Sequence, residues 1–291
     1  MLTRTFSDYI EKLASADTDM LLIHDGNGVK RISTETFKAD LREFAEGLET
    51  LLTQITFPGA GAHNGIYRGK NLGTSVSAEQ YAAIADGSFD DLYIGDYWVI
   101  NGVNWRIAAF DYYLNTGDTN CTTHHVVIVP DTCLGENKQM NTSSVTTGGY
   151  TGSEMYTTNL ADAKTLINNA FGSAHILNHR QYLTTTVANG KPSAGSWFDS
   201  TVELMTEQNV YGGKVFAPTS DGSTVPTAHT VDKSQFPLFA LEPSRITNRT
   251  TYWLRDVVSA ASFANVYYGG NANYANASHS LGVRPAFSIK S

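Results

Sequence analysis

The feature that most restricts the fold is a polar segment near the C-terminus, residues 262–281, which contains no Asp, Glu, Lys or Arg. Asn, Tyr, Ser and Ala dominate it, so it has too few aliphatic side chains to form a core segment. Residues 252–256 and 282–287, on either side, carry aromatic, aliphatic and arginine side chains. Tyr supplies contact area at a low entropic cost, and Asn, Ser and Gly supply adaptable hydrogen bonds, as in antibody binding sites. The pattern predicts a recognition surface between two rigid borders.

The region of about residues 252–287 resembles the variable region of proteins diversified by diversity-generating retroelements. In that family, adenines of a template repeat are randomised during reverse transcription, and Asn codons are the mutable positions. The product is written into the C-terminal end of a C-type-lectin-like fold. The resemblance implies fixed borders at Trp253, Arg255 and residues 282–287. It also implies the following ligand-binding positions, each an Asn or reachable from an Asn codon: Ser262, Asn265, Tyr267, Tyr268, Gly270, Asn271, Asn273, Tyr274, Asn276, Ser278, His279, Ser280 and Leu281.

An alternative is a Gly/Asn/Ser-rich surface loop with incidental tyrosines, because these residues favour loops for backbone reasons alone. The regular placement of small residues favours display over such a loop. Small side chains would let the residues between them project without steric conflict. The small residues are Ala264, Gly269, Ala272, Ala275 and Ala277.

The N-terminal part, residues 1–57, has a different pattern. Two short apolar runs flank Gly26-Asn27-Gly28, and an Asn-Gly pair in this position predicts a hairpin. Ser33 is a suitable N-cap for a helix over residues 33–56. Apolar residues then recur at alternating spacings of four and three, the heptad pattern of a coiled coil. They are Phe37, Leu41, Phe44, Leu48, Leu51 and Ile55.

This pattern resembles the N-terminal attachment segments of phage structural proteins, in which a hairpin and an oligomerising helix dock a fibre on the particle. We therefore predict a short trimerisation helix. The alternative is an amphipathic helix packed on its own domain. Residues 58–63 contain Pro58, Gly59 and Gly61 and predict a linker.

Residues 64–291 predict one mixed domain of class α+β. The resemblance implies a C-type-lectin-like fold, which the formylglycine-generating enzymes share. Predicted helices begin at the capping boxes Ser77-Ala78-Glu79-Gln80 and Ser200-Thr201-Val202-Glu203, and a third covers residues 160–171. Predicted strands are residues 93–100 and 103–110, around an Asn101-Gly102 turn, and residues 126–129. Trp98 and Trp105 are predicted core residues, and residues 142–153 and 219–230 are predicted loops.

Composition excludes several classes of function. The net charge of −8 and the scattered Lys and Arg residues argue against nucleic-acid binding. No apolar run approaches the ~18 residues that suggest a membrane span, so we expect no membrane insertion. The N-terminus lacks the apolar stretch of a signal peptide, which predicts synthesis and folding in a cytosol. Cys121 and Cys133 are expected to be free thiols.

The sequence contains no specific catalytic or metal-binding motif, so we expect no enzymatic activity, no cofactor and no metal. His124-His125 near Asp118, and His175 with His179, are candidate metal ligands, but hydrogen-bonded histidines explain them better. The copper-binding cysteine pair of formylglycine-generating enzymes is missing. Glu242-Pro243-Ser244 is similar only in part to the Glu-Pro-Asn sugar motif of calcium-dependent lectins.

Together these observations predict a phage receptor-binding protein that forms a homotrimer. The protein would be made in the host cytoplasm and carried on the virion, in contact with other tail or virion proteins. Its ligand would be a bacterial surface receptor, either a protein or a glycan. The alternatives are a tail enzyme that cleaves glycan or peptidoglycan, which would need paired carboxylates facing a cleft, and a structural decoration protein.

Overall fold

The structure is a computed structural model that describes residues 20–24, 29–55, 59–218 and 234–291. The chain divides into two compact units, Met1–Phe57 and Pro58–Ser291. Helices and antiparallel sheets are mixed in it, so the predicted class α+β is confirmed. The predicted loop 219–230 and the turn of the first predicted hairpin lie outside the described residues.

The first unit contains a hairpin and one long helix. Strands β1 (Met20–His24) and β2 (Val29–Ser33) pair antiparallel, with Met20 opposite Ser33. Helix α1 (Thr34–Ile55) follows directly, and the Ser33 hydroxyl accepts a hydrogen bond from the backbone N–H of Thr36 at 3.0 Å. The predicted hairpin strands, helix and N-cap are therefore confirmed. The predicted association of three such helices stays a prediction.

The second unit is built on a five-stranded antiparallel sheet in the order β3-β4-β5-β12-β8. Its strands are β3 (Tyr97–Ile100), β4 (Val103–Phe110), β5 (Val126–Pro130), β8 (Val202–Leu204) and β12 (Pro285–Ile289). The last strand of the chain lies inside the sheet, where Phe287 is opposite Ile128 on one side and Val202 on the other. The border that follows the polar segment is therefore part of the central scaffold.

Aromatic side chains fill the core against this sheet. Trp98 and Trp105 are buried, as predicted. The Trp105 ring meets the rings of Phe171 and Phe287 edge-on, with centroids 5.6 Å apart in both pairs. This edge-to-face arrangement is the favourable geometry for aromatic pairs.

Several elements lie where local sequence signals predict them. Helix α3 (Ala78–Asp86) begins with the predicted Ser77/Gln80 capping box and ends at Gly87, whose φ is 75°. The Asn101-Gly102 turn between β3 and β4 has φ values of 52° and 78°, both in the left-handed region that this hairpin turn requires. Helix α4 (Ala161–Phe171) ends before Gly172, as predicted.

Several sequence predictions differ from the structure. The predicted strand 93–100 is confirmed only over Tyr97–Ile100. Ser200 does not open a helix; it ends strand β7 (Lys191–Ser200), and residues 202–204 form β8. The reason is tertiary: β8 pairs with β12, and the Ser200 hydroxyl donates to the buried Glu203 carboxylate at 2.9 Å. The next helix, α5 (Glu207–Tyr211), has its own capping box, made by Thr206 and Asn209.

The predicted linker 58–63 is also wrong. Its residues 60–63 form helix α2 (Ala60–His63), and the His63 imidazole is buried and hydrogen-bonds the Leu92 carbonyl through Nδ1. The next residue, Asn64, exchanges two side-chain hydrogen bonds with the backbone of Phe110 at 2.8 and 2.9 Å. These contacts attach residues 60–64 to the second unit.

Two further antiparallel sheets complete the second unit. One is a long hairpin of β6 (His179–Ala188) and β7. The other has three strands in the order β11-β10-β9, made of β9 (Tyr252–Val257), β10 (Ser262–Val266) and β11 (Ala272–Asn276). A short helix, α6 (Pro237–Leu241), and a 3-10 turn at Pro243–Arg245 lead into β9. The polar segment of the sequence forms β10, the following turn and β11.

Candidate ligand-binding surface

Two of the predicted ligand-binding residues are not displayed. Ser262 is 4% exposed and Asn265 is 1% exposed, because both lie on β10, the central strand of its sheet. Every residue of β10 is buried, and the Asn265 side-chain oxygen has no hydrogen-bond partner. The expectation that these two positions face solvent is therefore wrong.

The other predicted positions lie at the surface, in the turn, on β11 and just after it. Tyr267, Tyr268, Asn271, Asn273, Tyr274, Asn276 and Ser278 are exposed or half-buried, as display requires. His279 and Ser280 are exposed, and Gly270 and Leu281 are half-buried. That these residues bind a ligand stays a prediction.

The predicted borders are buried scaffold. Trp253, Arg255, Val283 and Phe287 all lie inside the molecule. The Trp253 indole N–H donates to the Lys138 carbonyl at 2.8 Å, and the Trp253 amide donates to the Gly282 carbonyl at 3.0 Å. Because the two borders are bonded to each other, the hairpin between them has a fixed base.

The tip of the hairpin is held by four hydrogen bonds, one of which runs from the Tyr267 amide to the Asn271 carbonyl at 2.9 Å. The Gly270 amide donates to the Tyr267 carbonyl at 2.7 Å and closes the turn, in which Gly270 has a φ of 93°. From outside, the Tyr211 hydroxyl donates to the Gly270 carbonyl at 3.0 Å, and the Thr247 hydroxyl donates to the Tyr268 carbonyl at 2.6 Å. The turn is thus tied to two other parts of the chain.

Strand β11 lies at the edge of its sheet, and its own side chains satisfy part of that edge. The Asn273 side chain accepts from the Tyr274 amide at 2.8 Å, and the Asn271 side chain donates to the Ala272 carbonyl at 3.3 Å. The Asn276 carbonyl accepts from the His279 amide. A blunted edge of this kind discourages the addition of another strand. Side chains are therefore the groups that this hairpin offers to a ligand.

Sequence reasoning missed the segment that lies beside the hairpin. Phe216 follows α5, and its ring meets the ring of Tyr274 with centroids 5.2 Å apart. Val215 and Phe216 are both exposed. Nothing in the sequence brings residues 215–216 next to residue 274, since the contact depends on the tertiary fold.

The Glu207 carboxylate fixes this segment. It accepts hydrogen bonds from the amides of Val215, Phe216 and Ala217 at 2.9 to 3.0 Å, and it is completely buried. Backbone N–H groups that converge on a carboxylate make strong, charge-assisted hydrogen bonds. We call residues 215–217 the clamped loop.

Asp256 supports the same corner. It is partly buried on β9 and accepts from the Glu207 amide at 2.6 Å. Burial raises the pKa of Asp256 to about 6, and the negative charge of Glu207 acts in the same direction. The hydrogen bond from the Glu207 backbone opposes this rise. The Glu207 carboxylate lies near that of Asp256, but its oxygens already accept hydrogen bonds from the amides of the clamped loop.

A second loop contacts the chain just after β11. The Gln139 side chain donates to the Ser278 carbonyl at 2.6 Å, and the hydroxyls of Ser144 and Ser278 are 2.8 Å apart. The amide of Asn141 donates to the Ala277 carbonyl at 2.9 Å. The chain after β11 is therefore anchored by backbone and side-chain contacts that do not depend on the identity of most displayed residues.

Buried polar side chains connect β9 with β6 and stabilise the scaffold. Arg255 donates to the Gln181 side-chain oxygen, and the Gln181 amide nitrogen lies 2.8 Å from Nε2 of His179. Burial lowers the pKa of His179 to about 3, so its imidazole is neutral at ordinary pH. Tyr150 donates to the buried Glu203 carboxylate at 2.8 Å.

The histidines singled out by the sequence have structural contacts. His124 pairs with Asp111 at 2.7 Å, whereas Asp118 pairs with Arg180 at 2.8 Å. His175 lies in a 3-10 turn and stacks on Tyr81. Among the described residues, no three His, Cys, Asp or Glu side chains are grouped to hold a metal ion, and no helix is long and apolar enough to cross a membrane. Cys121 and Cys133 are free thiols.

Comparison with known proteins gives one similarity. Residues 168–291 are similar to a family described as a domain of unknown function, DUF6273. No match was found among curated proteins or among solved structures. The matched residues include the long β6–β7 hairpin, α5, the clamped loop and the whole of the β9-β10-β11 sheet. The candidate ligand-binding surface thus lies inside the part of the chain that this similarity covers.

Proposed function

We propose that this protein is a receptor-binding protein of a phage, which displays a variable surface for attachment to bacterial cells. The main support for the proposal is a difference in burial within residues 252–287. The borders at Trp253, Arg255, Val283 and Phe287 are buried, whereas the residues of the turn and β11 face solvent.

This difference in burial is what a surface with variable side chains requires. Exposed substitutions away from caps and special backbone positions usually alter stability by about 0.5 kcal/mol or less. The tip and base of the hairpin are held largely by backbone groups, by Tyr211 and by Thr247. Apart from Gly270, whose φ of 93° favours glycine, most displayed residues are therefore not needed to keep its shape. A preorganised surface also loses less entropy on binding.

In this proposal, Tyr267, Tyr268 and Tyr274 are the anchors and the neighbouring Asn and Ser residues are adjustable polar contacts. The domain is a C-type-lectin-like domain diversified by a retroelement. The receptor is a molecule of the bacterial surface. The virion carries the protein as a homotrimer, joined through α1 and attached to other virion proteins, so that weak single contacts combine into avidity.

The DNA around the gene tests the proposal. We expect a second, nearly identical copy of the codons for residues 262–281, beside a reverse transcriptase gene. Differences between the copies should fall at adenines of the second copy and concentrate on the exposed positions of the turn and β11. Flanking DNA without such a copy, or with differences spread over all four bases, would remove the basis for a retroelement.

A further inference from the structure

We propose that the clamped loop is the constant part of the binding surface, and that Val215 and Phe216 supply an apolar contact to a folded protein ligand. This inference rests on the proposed function. It adds a contact that lies outside the polar segment and therefore stays the same when that segment varies.

The first argument is geometric. Phe216 is 41% exposed and its ring meets the ring of Tyr274, itself 50% exposed, at 5.2 Å. Val215 is 54% exposed. A ligand that covers Tyr274 therefore also meets Phe216, since the two rings are in contact.

The second argument is the rigidity of the loop. Three successive amides donate to the buried Glu207 carboxylate, and the Glu207 amide in turn donates to Asp256. Exposed apolar side chains on a loop held in this way lose little entropy when they bind.

The third argument concerns the kind of ligand. Residues 215–218 and 262–281 contain no charged side chain, and Val215 and Phe216 offer no side-chain hydrogen-bonding group. The centres of protein–protein interfaces are depleted of charge and enriched in aromatic residues, with polar groups at the rim. Asn271, Asn276 and Ser278 supply such a rim. This combination of an uncharged surface, an exposed aromatic pair and neighbouring polar groups favours a folded protein as the ligand.

A displayed library tests the inference. The full chain is displayed with seven exposed or half-buried positions randomised, and it is selected against immobilised lysozyme as a folded protein probe. In several independent binders, Phe216→Ala should weaken binding about tenfold. Leu166→Ala, a change at a residue of similar exposure on α4, should leave binding within about twofold. The randomised positions are Tyr267, Tyr268, Asn271, Asn273, Tyr274, Asn276 and Ser278.

The outcomes separate the two proposals. A well-displayed library that yields no binder contradicts the proposed function, because the hairpin then does not support a variable binding surface. Binders that keep full affinity with Phe216→Ala contradict the constant contact and leave the proposed function standing. If Phe216→Ala lowers the melting temperature, Val215→Ala replaces it, with the same expected loss of affinity. Parallel selection on dextran completes the test: a Phe216 effect found only among dextran binders would overturn the assignment to protein ligands.

Discussion

At the scale of single residues, two asparagines of one sheet differ in their environment, Asn265 and Asn276. Asn265 is buried on the central strand, and its side-chain oxygen has no partner. Asn276 is exposed on the edge strand and accepts from the Ser262 hydroxyl at 3.1 Å. We expect Asn265→Asp to destabilise the protein by about 3 kcal/mol, because it buries an uncompensated charge.

The matched change Asn276→Asp should alter stability by about 0.5 kcal/mol or less, since its carboxylate remains in water and keeps the hydrogen bond. Chemical denaturation of both variants measures the difference. Equal stabilities would contradict the division of this hairpin into a buried scaffold strand and a display strand.

A second residue prediction concerns pH. The pKa of Asp256 is raised to about 6 from its ordinary value of 3.8, so the folded protein holds this proton more tightly than the unfolded chain. The stability that this group contributes is therefore complete below about pH 4 and is lost as the pH rises through about 6. Asp256→Asn should stabilise the protein at pH 7.5 by about 1 kcal/mol, a value reduced from the full shift because the residue is partly exposed.

At pH 3 the same variant should melt at nearly the parent temperature, because Asp256 is then mostly protonated in both the folded and the unfolded chain. Thermal melting at the two pH values provides the comparison. An Asp256→Asn variant that is equally destabilised at both would show that the hydrogen bond to Glu207, and not the charge, decides the role of this residue.

At the scale of elements, the clamped loop depends on one carboxylate. Glu207→Gln keeps the size of the side chain but turns an N–H₂ group toward amides that need an acceptor. Losing charge-assisted bonds and leaving buried donors unpaired should cost about 2 kcal/mol locally. Hydrogen exchange of the Val215–Ala217 amides should therefore accelerate about thirtyfold.

The control is Glu154→Gln, a change of the same chemistry at a half-buried residue that accepts from the Thr142 hydroxyl. It should leave exchange in the clamped loop unchanged. Exchange at Val215–Ala217 that is equal in the Glu207 variant and the parent would mean that other contacts hold the loop.

Elements whose signals are local in sequence were the ones that could be predicted. The Ser77/Gln80 capping box, the Asn101-Gly102 turn and the end of α4 at Gly172 depend on residues within one turn of each other. The β6–β7 hairpin also has such a signal at its turn, Asn189-Gly190 with φ values of 51° and 72°.

Elements decided by distant contacts were mispredicted. The Ser200–Glu203 pattern satisfies a capping box, but pairing of β8 with β12 outweighs it. The same limit applies to the candidate site. The border and display residues could be separated by composition, whereas the burial of Ser262 and Asn265 follows from the central position of β10. The neighbour Phe216 could not be found, because it meets Tyr274 only in the folded chain.

At the scale of the whole molecule, the two units present different kinds of surface. The second unit has a buried aromatic core, and residues 262–281 of its candidate ligand-binding surface carry no charge. On α1 of the first unit, Phe44 is 66% exposed, and Phe37 and Leu41 are only half-buried. These three residues belong to the predicted heptad pattern, and an exposed apolar row of this kind is typical of an association surface. Fewer than three full heptads give a marginal coiled coil alone, so we expect association to be sensitive to single positions.

The last prediction is that the intact chain forms a trimer through α1. Light scattering should give a mass of about three times the 31.6 kDa of one chain. Replacing Leu41 and Phe44 by Asn should shift the mass toward that of one chain, because two apolar contacts are lost from each helix. The control variant Asp40→Asn/Glu43→Gln changes two exposed neighbours on the same helix and should remain trimeric. Both variants should melt like the parent in the second unit, since the substitutions lie in the first. A parent chain that stays monomeric at micromolar concentration, or a Leu41/Phe44 variant that stays trimeric, would mean that α1 does not assemble this protein and that avidity must arise elsewhere.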